Sequence, residues 1–147
     1  MEIRELMTRD PACCTPETPL AEVARMMMRS DCGEIPIVDS RESMRPIGVI
    51  TDRDIAIRAV AEGRNPLEMK ASDCMTQPCV TVSEKASIMD CIYLIEEHQI
   101  RRIPVIDERG KCCGIVAQAD VARKIDEHAA EILKQVSQPV EAHRRTS

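Results

Sequence analysis

Two aspartates, Asp54 and Asp120, stand where a β-branched run gives way to an apolar helical pattern. Each closes a repeated phrase, Gly48-Val49-Ile50-Thr51-Asp52-Arg53-Asp54 and Gly114-Ile115-Val116-Ala117-Gln118-Ala119-Asp120. A carboxylate at a helix start caps the first turn and stabilises it by roughly 0.5–2 kcal/mol. Acid–base catalysis is weakly supported. Asp52 and Asp54 form a pair of acids, but catalytic pairing needs a cleft. His98, His128 and His143 are scattered, and no G-x-x-x-x-G-K phosphate loop occurs. The chain therefore reads as no enzyme. The eight cysteines offer metal or redox chemistry. None is spaced C-x-x-C, and most read as small buried hydrophobes. The vicinal pairs Cys13-Cys14 and Cys112-Cys113 should point to opposite faces of extended segments. Cys32, Cys74, Cys79 and Cys91 could meet in space, so a zinc or redox sensor stays open.

The elements that must hold the aspartates are written twice. Met7-Thr8 recurs at Met75-Thr76, and Pro36 and Asp39 recur at Pro104 and Asp107, each 68 residues on. Leu20, Val23, Ala24 and Met27 recur with the same shift as Ile88, Cys91, Ile92 and Ile95. Gly48 and Asp54 recur 66 residues on, because the second hairpin loop is two residues shorter. A constant shift with one length change in a polar loop marks a duplication. In the first copy, Leu20 to Met28 carries an amphipathic helical stripe. Thr18 is its expected cap, Pro19 its first residue, and Gly33 its left-handed terminator. Strands are expected over 35–39 and 47–51, with Pro36 leaving one edge unpaired at that point. A helix from Asp52 or Asp54 should run to Val60 and stop at Gly63.

Each copy thus reads β-α-β-β-α, with too little core to stand alone. The expected fold class is α/β (α+β), two such repeats packed through their sheets with pseudo-two-fold symmetry and clefts at the seam. Repeat 1 is expected over 7–63, a linker over 64–74 and repeat 2 over 75–125. A C-terminal helical extension over 126–136 and a disordered tail over 137–147 should follow. Ile125, Ala129, Ile132, Leu133 and Val136 give the last helix an extra apolar face, suited to a partner subunit.

Composition narrows the partners. Twenty basic and 25 acidic residues leave a formal charge of −5, which argues against nucleic-acid binding. No apolar run reaches the roughly 18–20 residues of a membrane span, and the N-terminus is no signal peptide, so a cytoplasmic protein is expected. Tyr93 is the one aromatic residue. A planar ligand would sit in an aliphatic slot rather than between rings.

Paired h-P-h-h-D and G-h-h-T-x-x-D motifs, twice at this spacing, resemble the tandem cystathionine-beta-synthase (CBS) domain pair, or Bateman module. The resemblance covers about Met7 to Ile125. The segment Glu97 to Ile106 resembles its stand-alone bacterial type, related to the mycobacterial hypoxic response protein. The resemblance implies regulatory, signal-transduction binding of an adenosine-containing ligand (AMP, ADP, ATP, NAD or S-adenosylmethionine) in clefts between the repeats. It implies that Asp54 and Asp120 hold ribose hydroxyls and that Thr51 assists. A carboxylate that accepts two hydrogen bonds suits a cis-diol, and a helix N-terminus beside it suits phosphate. The adenine slot is implied at Pro78, Cys79 and Ile100 for the Asp54 cleft, and at Pro11, Ala12 and Cys32 for the Asp120 cleft. Arg102 matches a phosphate-facing position, and Arg101 is its neighbour. A homodimer is also implied.

The copies depart from the pattern in opposite ways. Ala117 replaces the threonine in the second copy, and Glu34 stands at the Arg102 position in the first. The expectation is that, if one cleft alone binds, it is the Thr51–Asp54 cleft. A non-binding dimerisation scaffold is the alternative, and a thiol redox or zinc sensor is a second one.

Overall fold

The computed structural model describes residues 1–137. Ten elements follow in order: β1 (Thr8–Arg9), α1 (Leu20–Ser30), β2 (Glu34–Val38), β3 (Pro46–Thr51), α2 (Asp52–Ile55), β4 (Val82–Ser83), α3 (Ile88–His98), β5 (Arg102–Ile106), β6 (Cys112–Ala117) and α4 (Gln118–Ser137). α2 continues as a π-helical turn over Ala56–Val60, closed by the Ala61 N–H on the Ala56 carbonyl at 2.8 Å. Short 3-10 turns precede each copy at Ile3–Glu5 and Ala71–Asp73, again 68 residues apart. The fold is α+β, built from two equivalent halves. The tail expected from 137 lies, beyond Ser137, outside the described residues.

The two hairpins, β2–β3 and β5–β6, are antiparallel and share their register, with Pro36 opposite Val49 and Pro104 opposite Ile115. Each proline lacks an N–H on the outer side of its hairpin. There the pairing shrinks to a single bridge, Cys14 with Ile37, or to the two-residue β4 along Val82–Ser83.

The opening strands are exchanged between the copies. β1 of the first copy pairs with β6 of the second, Thr8 opposite Ile115. In return Thr76 of the second copy bridges Val49 of the first. This crossing explains the glycine of each repeated phrase. A Cβ on Gly48 would lie 2.6 Å from the Thr76 carbonyl oxygen, and one on Gly114 3.0 Å from that of Thr8. The cores follow the exchange. Cys14, Leu20, Val23, Ile35, Ile37 and Ile50 bury with Ala71 and Cys74 from the start of the second copy. Val82, Cys91, Ile103, Val105, Val116 and Val121 bury with Ile3 and Met7 from the start of the first. Neither half closes its core without the other's opening turn.

Two end signals of α1 differ from expectation. Thr18 does not cap the helix; its hydroxyl accepts the Thr15 N–H at 3.0 Å, and Pro19 occupies the cap position. Gly33 does not end it either. Asp31 takes the left-handed conformation (φ 49°), as its equivalent Gln99 does after α3 (φ 53°). Gly33 instead makes room: a Cβ there would meet the Asp52 carboxylate at 2.8 Å, while the Gly33 carbonyl accepts the Asp52 N–H at 2.9 Å.

Candidate functional site

β3 runs straight into α2, so the first free N–H groups of the helix need partners. Thr51 and Asp54 supply them reciprocally. The Thr51 hydroxyl accepts the Asp54 N–H at 3.0 Å, and Asp54 Oδ2 accepts the Thr51 N–H at 2.9 Å. The exchanged strand adds to this: the Thr76 hydroxyl reaches both Asp54 oxygens at 3.3 and 3.4 Å. Arg58 stands 4.0 Å from the same carboxylate while donating to the Cys74 and Met75 carbonyls. Asp54 is thus held by the protein through both oxygens.

Asp120 is held less. Its Oδ2 accepts the Ala117 N–H at 3.3 Å, and alanine returns no hydroxyl. Its Oδ1 takes one bond from the exposed Arg123 at 3.0 Å. An exposed pair of this kind contributes about 0–1 kcal/mol, so a ligand can replace it at small cost.

Two clefts lie at the seam. The first, of about 330 Å³, is walled by Pro11, Ala12, Pro36, Ile115 and Ala117, with Cys32, Asp120, Glu34 and Arg102 among its lining. All four residues expected of the Asp120 cleft are therefore brought together, and Arg102 joins them. The second, of about 660 Å³, is lined by Gly33, Glu34, Thr51, Asp52, Arg53, Gln99, Ile100, Arg101 and Arg102. It gathers Thr51, Ile100, Arg101 and Arg102, but its lining does not include Asp54, Pro78 or Cys79. Pro78 and Cys79 follow Thr76 along the exchanged segment. Burial, with Glu34 and Cys112 nearby, pushes the Cys79 thiol up to about 12.

Glu34 and Arg102 line both clefts. They open β2 and β5 at equivalent positions, 68 residues apart. Glu34 Oε2 is buried with no hydrogen-bond partner among the described residues. Burial pushes its carboxyl up to about 7; Arg102 pulls it down, and Asp54 pushes it further up. Sequence reasoning left Glu34 and Asp52 outside the site. The repeat shift, which sets Glu34 against Arg102 and Asp52 against Gln118, was the signal that could have found them.

The vicinal cysteines do face opposite ways. Cys14 enters the first core and Cys113 packs on the second, whereas Cys13 and Cys112 share a small cluster with Val38. All eight thiols are free. Among the described residues, no three His, Cys, Asp or Glu side chains are grouped to hold a metal ion, and no helix is long and apolar enough to cross a membrane.

A family model for the CBS domain matches residues 3–60 and 71–127. The chain is 34% identical over 138 residues to Hypoxic response protein 1 of Mycobacterium tuberculosis, covering 93% of this chain and 94% of that one. It is 36% identical over 121 residues to MK0525 of Methanopyrus kandleri, spanning 82% of itself but 61% of that protein. A crystal structure of Hypoxic Response Protein I with two coordinated zinc ions superposes at TM-score 0.74 with 35% identity, covering 84% of this chain and 98% of that one. The CBS domain pair of MJ0100, solved with 5′-methylthioadenosine and S-adenosyl-L-methionine, superposes at TM-score 0.76 over 87% of this chain and 98% of that one; at 23% identity this is a likeness of fold. With both copies matched, and their opening strands exchanged within one fold, the chain belongs to the CBS domain family, as a tandem pair.

Proposed function

We propose that this CBS pair is a regulatory module that takes an adenosine-containing ligand in the Asp120 cleft. The observation that carries the reading is the convergence of Asp120, Arg102 and an aliphatic wall from both copies in one cleft of about 330 Å³. That size and that mix of apolar wall with a few polar groups suit a small-molecule site. Asp120 has an oxygen to offer a ribose diol once Arg123 lets go. Pro11, Ala12 and Ile115 give a flat aliphatic slot for a base. Arg102 faces an anionic group, phosphate or carboxylate. The fold-level likeness to the MJ0100 pair, solved with two adenosine compounds, supports the ligand class.

The Thr51 cleft is proposed as a secondary, anion-favouring site, because Arg53, Arg101 and Arg102 outnumber Glu34 and Asp52 in its lining. This departs from the preference for Thr51–Asp54 drawn from sequence, for a physical reason: the Asp54 oxygens already accept bonds from Thr51 and Thr76. Occupancy is read out through a homodimer whose contact includes the far half of α4. Titration calorimetry with AMP, ADP, ATP, NAD and S-adenosylmethionine tests the reading. Binding of at least one, weakened at least tenfold by Asp120→Asn, is expected. Silence across all five at millimolar ligand favours the scaffold alternative.

A further inference from the structure

We propose that Cys13 and Cys112 are a dithiol that a low-molecular-weight disulfide converts to a cross-link between the two repeats. Cys13 lies in the loop before α1, and Cys112 opens β6. Their Sγ atoms are 4.0 Å apart, and both residues are buried. The backbones on either side are fixed. Cys14 donates to the Pro36 carbonyl at 3.1 Å and accepts from the Val38 N–H at 2.8 Å. Arg41 Nη1 donates to the Cys13 carbonyl at 3.0 Å, and the Cys112 N–H donates to the Met44 carbonyl at 2.8 Å. A disulfide needs its sulfurs about 2 Å apart. Closing the remaining gap calls for the two side chains to rotate toward each other between an anchored loop and β6.

Access and reactivity fit the pair. Cys13 lines a surface groove of about 360 Å³ together with Arg41 and Arg29. The Cys112 thiol hydrogen-bonded to Cys13, aided by Arg41, holds the Cys13 thiol below its ordinary range. Burial pushes its neighbour Cys14 up to about 11, and burial with Glu84 pushes Cys113 up to about 12. The thiolate is the nucleophile, so Cys13 makes the first attack. Cys112, held above its ordinary range by Cys13 and burial, acts only once Cys13 is tied up in the mixed disulfide.

The exchange balances. The Cys13 thiolate attacks one sulfur of RSSR, that S–S bond breaks, and RS⁻ leaves and takes up the proton Cys13 lost. The Cys112 sulfur then attacks the Cys13 sulfur of the mixed disulfide. It releases its proton to solvent, and the second RS⁻ leaves and is protonated. Two protein thiols lose two electrons, and one RSSR becomes two RSH. The product ties the Pro11–Ala12 loop to β6, whose Ile115 and Ala117 face that loop in the Asp120 cleft.

The test is thiol mapping of the full chain after incubation with oxidised glutathione, alkylation and non-reducing digestion. A Cys13–Cys112 cross-linked peptide is expected, with Cys14 and Cys113 alkylated. In Cys112→Ser, which cannot resolve the intermediate, a glutathionyl group should remain on Cys13. Alkylation of both Cys13 and Cys112 in the unsubstituted chain overturns the proposal. So does oxidation that falls first on another pair. Because the mapping is done on the unsubstituted chain, a folding defect in the variant does not blur the outcome, and ligand binding plays no part in it.

Discussion

Glu34 is a carboxylate where its symmetry mate, Arg102, is a guanidinium, and both look into the same two clefts. Burial raises its pKa to about 7, against Arg102 and with Asp54 adding to the rise. The folded state then binds the Glu34 proton more tightly than the unfolded chain does. Stability contributed here is highest below the unfolded value of about 4.3, falls through the window up to about 7, and is level beyond it. Glu34→Gln should remove this loss, raising stability near neutral pH by on the order of 2–3 kcal/mol, as read by urea denaturation. A phosphate-bearing ligand at Arg102 would favour protonated Glu34. Its affinity should therefore rise as pH falls from about 8 to about 6, and that slope should vanish in Glu34→Gln. Asp54 belongs to a different class. Asp54→Ala breaks the reciprocal cap with Thr51 and should destabilise the fold by about 1 kcal/mol while sparing affinity at the Asp120 cleft. Denaturation and titration on the same variant separate the two effects.

At the scale of elements, α4 carries an unburied stripe. Ile125, Ile132, Leu133 and Val136 are all exposed, at positions that repeat along one face. If the proposed homodimer packs through this stripe, Leu133→Glu should give monomer in light scattering without changing helix content. The glycines of the repeated phrase make a second prediction. Gly114→Val must push aside the Met7 side chain and crowd the Thr8 carbonyl of β1, and should destabilise by about 1–3 kcal/mol in thermal unfolding. Much of this level was legible in the sequence. The shift of 68 that pairs Pro36 with Pro104 also pairs the hairpins, and the apolar spacing of Leu20 to Met28 announced α1. The ends of α1 were not legible. Thr18 looks like a cap because its type suits one, but its hydroxyl is spent on Thr15. Gly33 looks like a terminator, but the space it leaves serves the Asp52 carboxylate two strands away in sequence.

For the whole molecule, the exchange of opening strands is the organising event, and periodicity alone could not show it. Self-similarity tells that Thr8 and Thr76 are equivalent; it does not tell that each pairs with the other copy's hairpin. That exchange brings Thr76 onto Asp54 and ties up one of the two repeated aspartates within the protein. Pro11, Ala12, Cys32 and Asp120, drawn from separate stretches of sequence, line one cleft, while Pro78 and Cys79 line neither that cleft nor the Thr51 cleft. Both clefts draw on both copies and share Arg102, so two anionic ligands would compete for one guanidinium. Calorimetric titration of AMP into the unsubstituted chain, Asp120→Asn and Asp54→Asn is the most direct measurement. Binding that Asp120→Asn weakens at least tenfold and Asp54→Asn leaves unchanged is the predicted result. Binding that survives Asp120→Asn and is lost in Asp54→Asn would contradict it.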